Sequence, residues 1–258
     1  MRYFITLSYD GTRYHGWQVQ PNGISVQGEL QRALSLLLRQ DIQVTGAGRT
    51  DTGVHARMMV AHFDLATTPP LSTRLNDLTY KLNRLLPADI AIQKVEPVAD
   101  DMHARFSALS RTYRYFLHTG KSPFLRQYSW QTHYTLDFQL MNAAADILTE
   151  YDDFGAFCKS HADVKTTICH VSHAQWHRVA NDAQQPGATT EQWYFEITAN
   201  RFLRNMVRAV VGTLVEVGRH RLSLQDFRKV IEGGKRSDAG ESMPANALFL
   251  ERICYPNS

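Results

Sequence analysis

The chain has no apolar run near the roughly 18 residues that a membrane span needs. Cysteine is scarce: Cys158, Cys169 and Cys254 are odd in number and far apart. That excludes a disulfide scaffold and favours reduced thiols in a cytoplasmic protein. The stretch Met1–Gly11 carries Asp10 early and lacks a sustained apolar centre, so it does not read as a secretory leader. Zinc motifs of the C-x-x-C or H-E-x-x-H type are absent, as is the Gly-Lys-Ser/Thr run of a P-loop. Lysine is also rare, with 21 Arg against 7 Lys. Arginine suits planar contacts to phosphate and stacking on bases, although genomic bias can produce the same count.

What is present describes a well-cored α+β protein. Of 258 residues, 43% are hydrophobic and 21% charged, with a net charge of +3. That length holds one large domain or two small ones. Hydrophobic periodicity gives a strand at 3–9, a helix after Ser25, a strand near 41–46, a strand from Met58 to Leu65, a helix at 74–86 and a strand near 89–95. A second series follows: a strand at 104–118, a helix at 137–149, strands at 168–179 and 190–199, a helix from Phe202 to Val217, a short helix after Ser223 and a strand at 247–253. Each series has the β-α-β-β-α-β order of the ferredoxin-like motif. Two domains are expected, 1–102 and 103–258, whose sheets could join edge to edge and leave a cleft across them. The polar stretch Asn181–Ala188 reads as an exposed turn.

The densest chemistry lies in Gly48-Arg49-Thr50-Asp51-Thr52-Gly53-Val54-His55-Ala56. Gly and Asp are ordinary turn residues. A turn has no need of Arg49 and His55 flanking the acid, so the loop is a site candidate. It joins two strands, whereas a dinucleotide fingerprint joins a strand to a helix. Asp51-Thr52-Gly53 also spells the aspartic-protease signature, but such enzymes need two carboxylates sharing a proton, and the chain has one such run.

Arg105, Arg111 and Arg114 sit among the aromatics of Thr112-Tyr113-Arg114-Tyr115-Phe116, and Arg201, Arg204 and Arg208 at the spacing of one helical stripe. Basic residues interleaved with rings suit nucleic acid, with charge for phosphate and rings for stacking. A half-buried strand with tyrosines in the core is the competing reading, stronger for Tyr115 than for Tyr113. Cys169, His170, His173 and His177 fall within nine residues and could ligate a metal. Ordinary surface or core histidines are the expectation, and no metal is assigned.

The glycine loop, the strand Thr112-Tyr113-Arg114-Tyr115 and the run Phe202-Leu203-Arg204-Asn205-Met206-Val207-Arg208 together resemble the tRNA pseudouridine synthase A (TruA) family. Tyr9-Asp10-Gly11-Thr12, Gly16-Trp17-Gln18, Val26-Gln27, His103-Ala104-Arg105-Phe106-Ser107 and Pro244-Ala245 extend the likeness in order along nearly the whole chain. It implies the pseudouridine synthase fold, with two ferredoxin-like halves in one continuous, mainly antiparallel sheet and a central RNA-binding, catalytic cleft. It also implies a cofactor-independent homodimer acting on uridines 38, 39 and 40 of the tRNA anticodon stem-loop. Relatives that share the loop choose other uridines, and a tRNA-binding protein of the same fold without catalysis is the second alternative.

By this resemblance Asp51 is the nucleophile, Arg208 its ion-pair partner, and Tyr113 the ring that stacks on the target base and assists proton transfer. Arg49, His55 and Arg204 are expected to contact RNA. The chemistry is consistent with these roles. Detaching uracil at nitrogen 1 and rejoining it at carbon 5 conserves atoms and exchanges no electrons. It needs a carboxylate that divides one hard step into two. A guanidinium nearby favours the ionised form of such a carboxylate where water is excluded.

Overall fold

The computed structural model describes residues 1–65, 75–159, 165–179 and 190–256. The polar stretch Asn181–Ala188 lies outside them. Two compact units divide the chain, Met1–Leu109 with Leu250–Ser258, and Ser110–Phe249.

The first unit runs β1 (Arg2–Tyr9), α1 (Val26–Leu38), β2 (Thr45–Gly46), β3 (His55–Asp64), α2 (Leu75–Leu85) and β4 (Ile90–Val98). Its strands lie in the order β4-β1-β3-β2, and every neighbouring pair is antiparallel. That is the ferredoxin-like arrangement the sequence predicts. Alternation along β1 buries Tyr3, Ile5, Leu7 and Tyr9, and Phe4 on the other face is covered by Tyr255, 5.0 Å between ring centroids. Helix α1 begins where Ser25 Oγ accepts the Gly28 N–H. It turns Val26, Leu30, Ala33 and Leu34 inward at helical spacing.

The second unit runs β5 (Ser110–Thr119), β6 (Trp130–Thr132), α3 (Phe138–Ile147), β7 (Val171–Arg178), β8 (Gln192–Ala199), α4 (Met206–Gly218) and α5 (Leu224–Gly233). The last strand, β9 (Leu248–Cys254), crosses the division after Phe249. Strands β5, β8 and β7 form an antiparallel ladder, and β6 adds a parallel pair on β5. Helix α4 is apolar all round and buried along its length except at Arg208 and Glu216. A helix of that kind belongs in a core.

Four expectations are corrected. Of the predicted strand 41–46 only Thr45–Gly46 joins a ladder, with β3. Ile42 and Val44 are buried as the alternation requires, but their backbone is satisfied by α1 side chains. Ser35 Oγ accepts from Ile42 N, Gln31 Oε1 accepts from Val44 N, and Gln27 Nε2 donates to Val44 O. The predicted strand 104–118 starts only at Ser110, because residues 103–107 close a local turn, Ser107 N donating to His103 O and His103 N to Ser107 Oγ. The helix predicted from Phe202 starts at Met206, since Asn205 takes a left-handed conformation, φ 68°. Arg201 and Arg204 therefore precede the helix and share no helical stripe with Arg208. The three-residue strand β6 has too short a pattern to be seen in the sequence.

Candidate active site

In the first unit Asp51 opens a tight turn. The Val54 N–H donates to Asp51 O at 3.1 Å, and Gly53 has φ 79°, as the third residue of a type II turn demands. The turn expectation for this residue is therefore correct for its backbone, and its side chain stays half-buried. Arg49, two residues earlier, is exposed.

The loop is held from below by the segment 9–17. The Tyr9 hydroxyl and Thr50 Oγ1 lie 2.9 Å apart, and the Trp17 N–H donates to Thr50 O at 3.3 Å. Gly16 has φ 86°, and a Cβ there would lie 2.2 Å from Thr50 O. A Cβ on Gly11 would lie 2.0 Å from Val54 O. Only glycine permits approaches this close. The His55 ring is 1% exposed, inside the loop base, where Nδ1 accepts the Gly11 N–H at 3.0 Å with Asp10 Oδ1 also 3.0 Å away. Gln27 completes the frame, accepting from Val19 N and donating to Val44 O.

In the second unit Tyr113 lies on β5 opposite Ile197 of β8, its half-buried ring edge-on to Phe202 at 5.1 Å. Tyr115 shares that face and is fully buried, matching the core reading given to it. Burial pushes its hydroxyl well above the ordinary tyrosine range, and the positive charge of Arg208 opposes that rise. Arg208 Nε donates to Met243 O at 2.5 Å, and the Met243 N–H returns a bond to Arg208 O at 3.2 Å. A Cβ on Gly212 would lie 1.8 Å from Glu241 O, so the segment 240–243 lies directly on α4. Arg236 fixes that segment through Gly240 O and Ser242 Oγ. The exposed Arg204 offers its carbonyl to Lys159 N at 3.0 Å.

A tRNA pseudouridine synthase family model matches residues 5–107 and 145–256. The tRNA pseudouridine synthase A of Bacteroides fragilis is 56% identical over 255 residues, 99% of this chain and 96% of that protein. Its counterpart in Porphyromonas gingivalis is 52% identical over 256 residues, covering 99% and 98%. That of Bacillus subtilis is 38% identical over 261 residues, the full length of both. The chain belongs to the tRNA pseudouridine synthase A family. It is accordingly an isomerase that makes pseudouridine in tRNA. Among the described residues no helix is long and apolar enough to cross a membrane.

Some of the motifs shared with the tRNA pseudouridine synthase A family are structural. Gly11, Gly16, Trp17 and Gln27 build the support of the Asp51 loop, which sequence reasoning noted as a likeness without a physical role. The signal was available: paired glycines beside an aromatic, upstream of a charged loop, mark a close backbone approach. The Met243–Arg208 exchange was not legible, because it depends on a backbone carbonyl 35 residues away.

Proposed function

We propose that the chain converts uridines 38, 39 and 40 of the tRNA anticodon stem-loop to pseudouridine with Asp51 as nucleophile. One observation carries this reading: the acid is half-buried at the head of a turn whose support tolerates no side chain at Gly11 or Gly16. A charged side chain on a loop fixed by so rigid a support is a functional-site feature. In this reading the Asp51 carboxylate adds to the substrate, detaches uracil from ribose at nitrogen 1, and is released when the base rejoins through carbon 5. Tyr113 stacks on the base and assists removal of the carbon 5 proton. Arg208 supplies the positive charge that the family resemblance pairs with the acid.

Arg49 and Arg204, both exposed, contact the RNA. His55, expected at the RNA, has its ring buried in the loop base, so it positions the Asp51 loop instead of contacting the substrate. A base inside a stem must be flipped out at a cost of a few kcal/mol, and a long cation beside the acid can hold that conformation. The active form is a cytoplasmic homodimer that needs no cofactor, because the reaction conserves atoms and electrons. The test is to incubate an unmodified tRNA transcript with the protein and map pseudouridine by nucleotide. Conversion confined to 38, 39 and 40 is expected. Conversion at other uridines would overturn the target assignment while leaving the isomerase intact.

A further inference from the structure

The β7–β8 surface of the second unit carries a cluster for which the isomerisation has no use. His173 and His177 on β7 and Glu196 on β8 are each partly exposed, and their ligating atoms all lie within 4.8 Å of one another. A four-residue spacing puts both histidines on one face of an extended strand. Glu196 is registered opposite Gln175, midway between them. Four extended residues span about 13 Å, yet the two imidazole centroids are 6.2 Å apart, so the rings lean together over Gln175.

The carboxylate is already oriented. Arg114 Nε, on β5, holds Glu196 Oε2 at 2.7 Å, while Oε1 turns toward His173 Nε2 at 3.6 Å. One oxygen fixed by an outer partner and the other presented inward is the supporting arrangement that metal-ligating carboxylates use. The His177 ring stacks on Tyr194 at 5.0 Å between centroids, which orients the imidazole. Two imidazoles and one carboxylate suit zinc and its first-row neighbours, with a fourth position left to water. Zinc ligands at about 2.0–2.1 Å stand roughly 3.4 Å from one another, so a small rotation of the partly exposed side chains closes the site.

We propose that His173, His177 and Glu196 form a zinc-class divalent cation site on the side of the β5–β8–β7 ladder opposite Tyr113. The opposition follows from the register: Arg114 pairs with Glu196, whereas Tyr113 and Tyr115 pair with Ile197 and Phe195 on the other face. The site differs from the cluster that sequence spacing offered. Cys169 is fully buried, its thiol pushed up to about 11 by that burial, and the His170 ring lies 2.6 Å from Asp152. Neither joins the three ligands.

Equilibrium dialysis of the chelator-stripped, full-length protein against zinc, with metal analysis, should find one ion per chain. His173→Ala, His177→Ala and Glu196→Gln should each weaken binding at least tenfold, whereas His170→Ala should leave it unchanged. In the unaltered protein, added zinc should shift the imidazole nitrogen resonances of His173 and His177 and leave those of His170 in place. That arm does not depend on any variant folding. The absence of stoichiometric binding, equal affinity in the three variants, or shifts confined to other histidines would overturn the proposal.

Discussion

The two units share an order of elements but place their departures from it in different spots. Both carry the same antiparallel triple of first, third and second strands, β1-β3-β2 in one and β5-β8-β7 in the other. Both also use a helix asparagine to satisfy a strand residue twice. In the first unit Asn83 bonds Ile92 N and O at 2.7 and 2.8 Å, and in the second Asn142 bonds Trp176 N and O at 2.7 and 3.2 Å. In the first unit, however, the second strand shrinks to two residues and its hairpin connection becomes the Asp51 loop. In the second unit the corresponding strands β7 and β8 run eight residues each, and the unusual features are a buried helix with one basic residue and a tyrosine pair on β5. The shared order determines where strands and helices go, while chemistry enters through local exceptions to it.

The largest effect separating the units should come from their left-handed glycines. Gly16→Ala in the first unit combines φ 86° with a Cβ 2.2 Å from Thr50 O. It should cost about 2–4 kcal/mol and lose most turnover by displacing the Asp51 loop. Gly234→Ala in the second unit, φ 64° with open space around the added methyl, should cost only about 1 kcal/mol and keep turnover. Denaturant unfolding and single-turnover assays on both variants check the contrast. Equal losses would break the claim that the loop support is specific to the first unit.

Next in size is a pH effect from the first unit. The His62 imidazole is lowered to about 4 by burial first, then by Arg2 and His103, and its Nδ1 accepts the Ala104 N–H at 3.2 Å. An unfolded histidine takes its proton below about 6.5, so between there and about 4 the unfolded chain binds more protons. Stability should therefore fall as pH drops through that window, by up to about 3 kcal/mol. His118 in the second unit is also lowered by burial and adds a loss of the same sign. Unfolding free energies measured against pH should flatten in His62→Gln more than in His118→Gln.

The smallest difference is expected at the asparagine clamps. Asn83→Ala and Asn142→Ala each remove two hydrogen bonds to strand backbone and should destabilise by about 2 kcal/mol, equally within error. Calorimetry of the two variants tests whether the clamps are equivalent.

The parts that were legible in the sequence are those set by period and by capping. Leu30, Ala33 and Leu34 mark α1 through helical spacing, and Ser25 marks its start. Alternation correctly buried Ile42 and Val44, yet could not tell that their backbone bonds go to Ser35, Gln31 and Gln27 and not to a strand. Phe202 and Leu203 continue the apolar period of α4, but a left-handed Asn205 breaks the helix between them and Met206. A single residue of unusual φ leaves no trace in periodicity. For the candidate site, motif likeness pointed to the Asp51 loop, and the reason for that loop's rigidity emerged only from distances to Gly11 and Gly16.

The account rests on the Asp51 carboxylate performing chemistry at the head of that supported turn. Asp51→Asn keeps the shape and removes the charge, so single-turnover conversion of a saturating tRNA transcript measures the claim directly. Turnover should fall at least about a thousandfold while tRNA affinity changes only a few-fold. Substantial conversion by the pure variant, with affinity intact, would contradict the assignment of Asp51 as nucleophile.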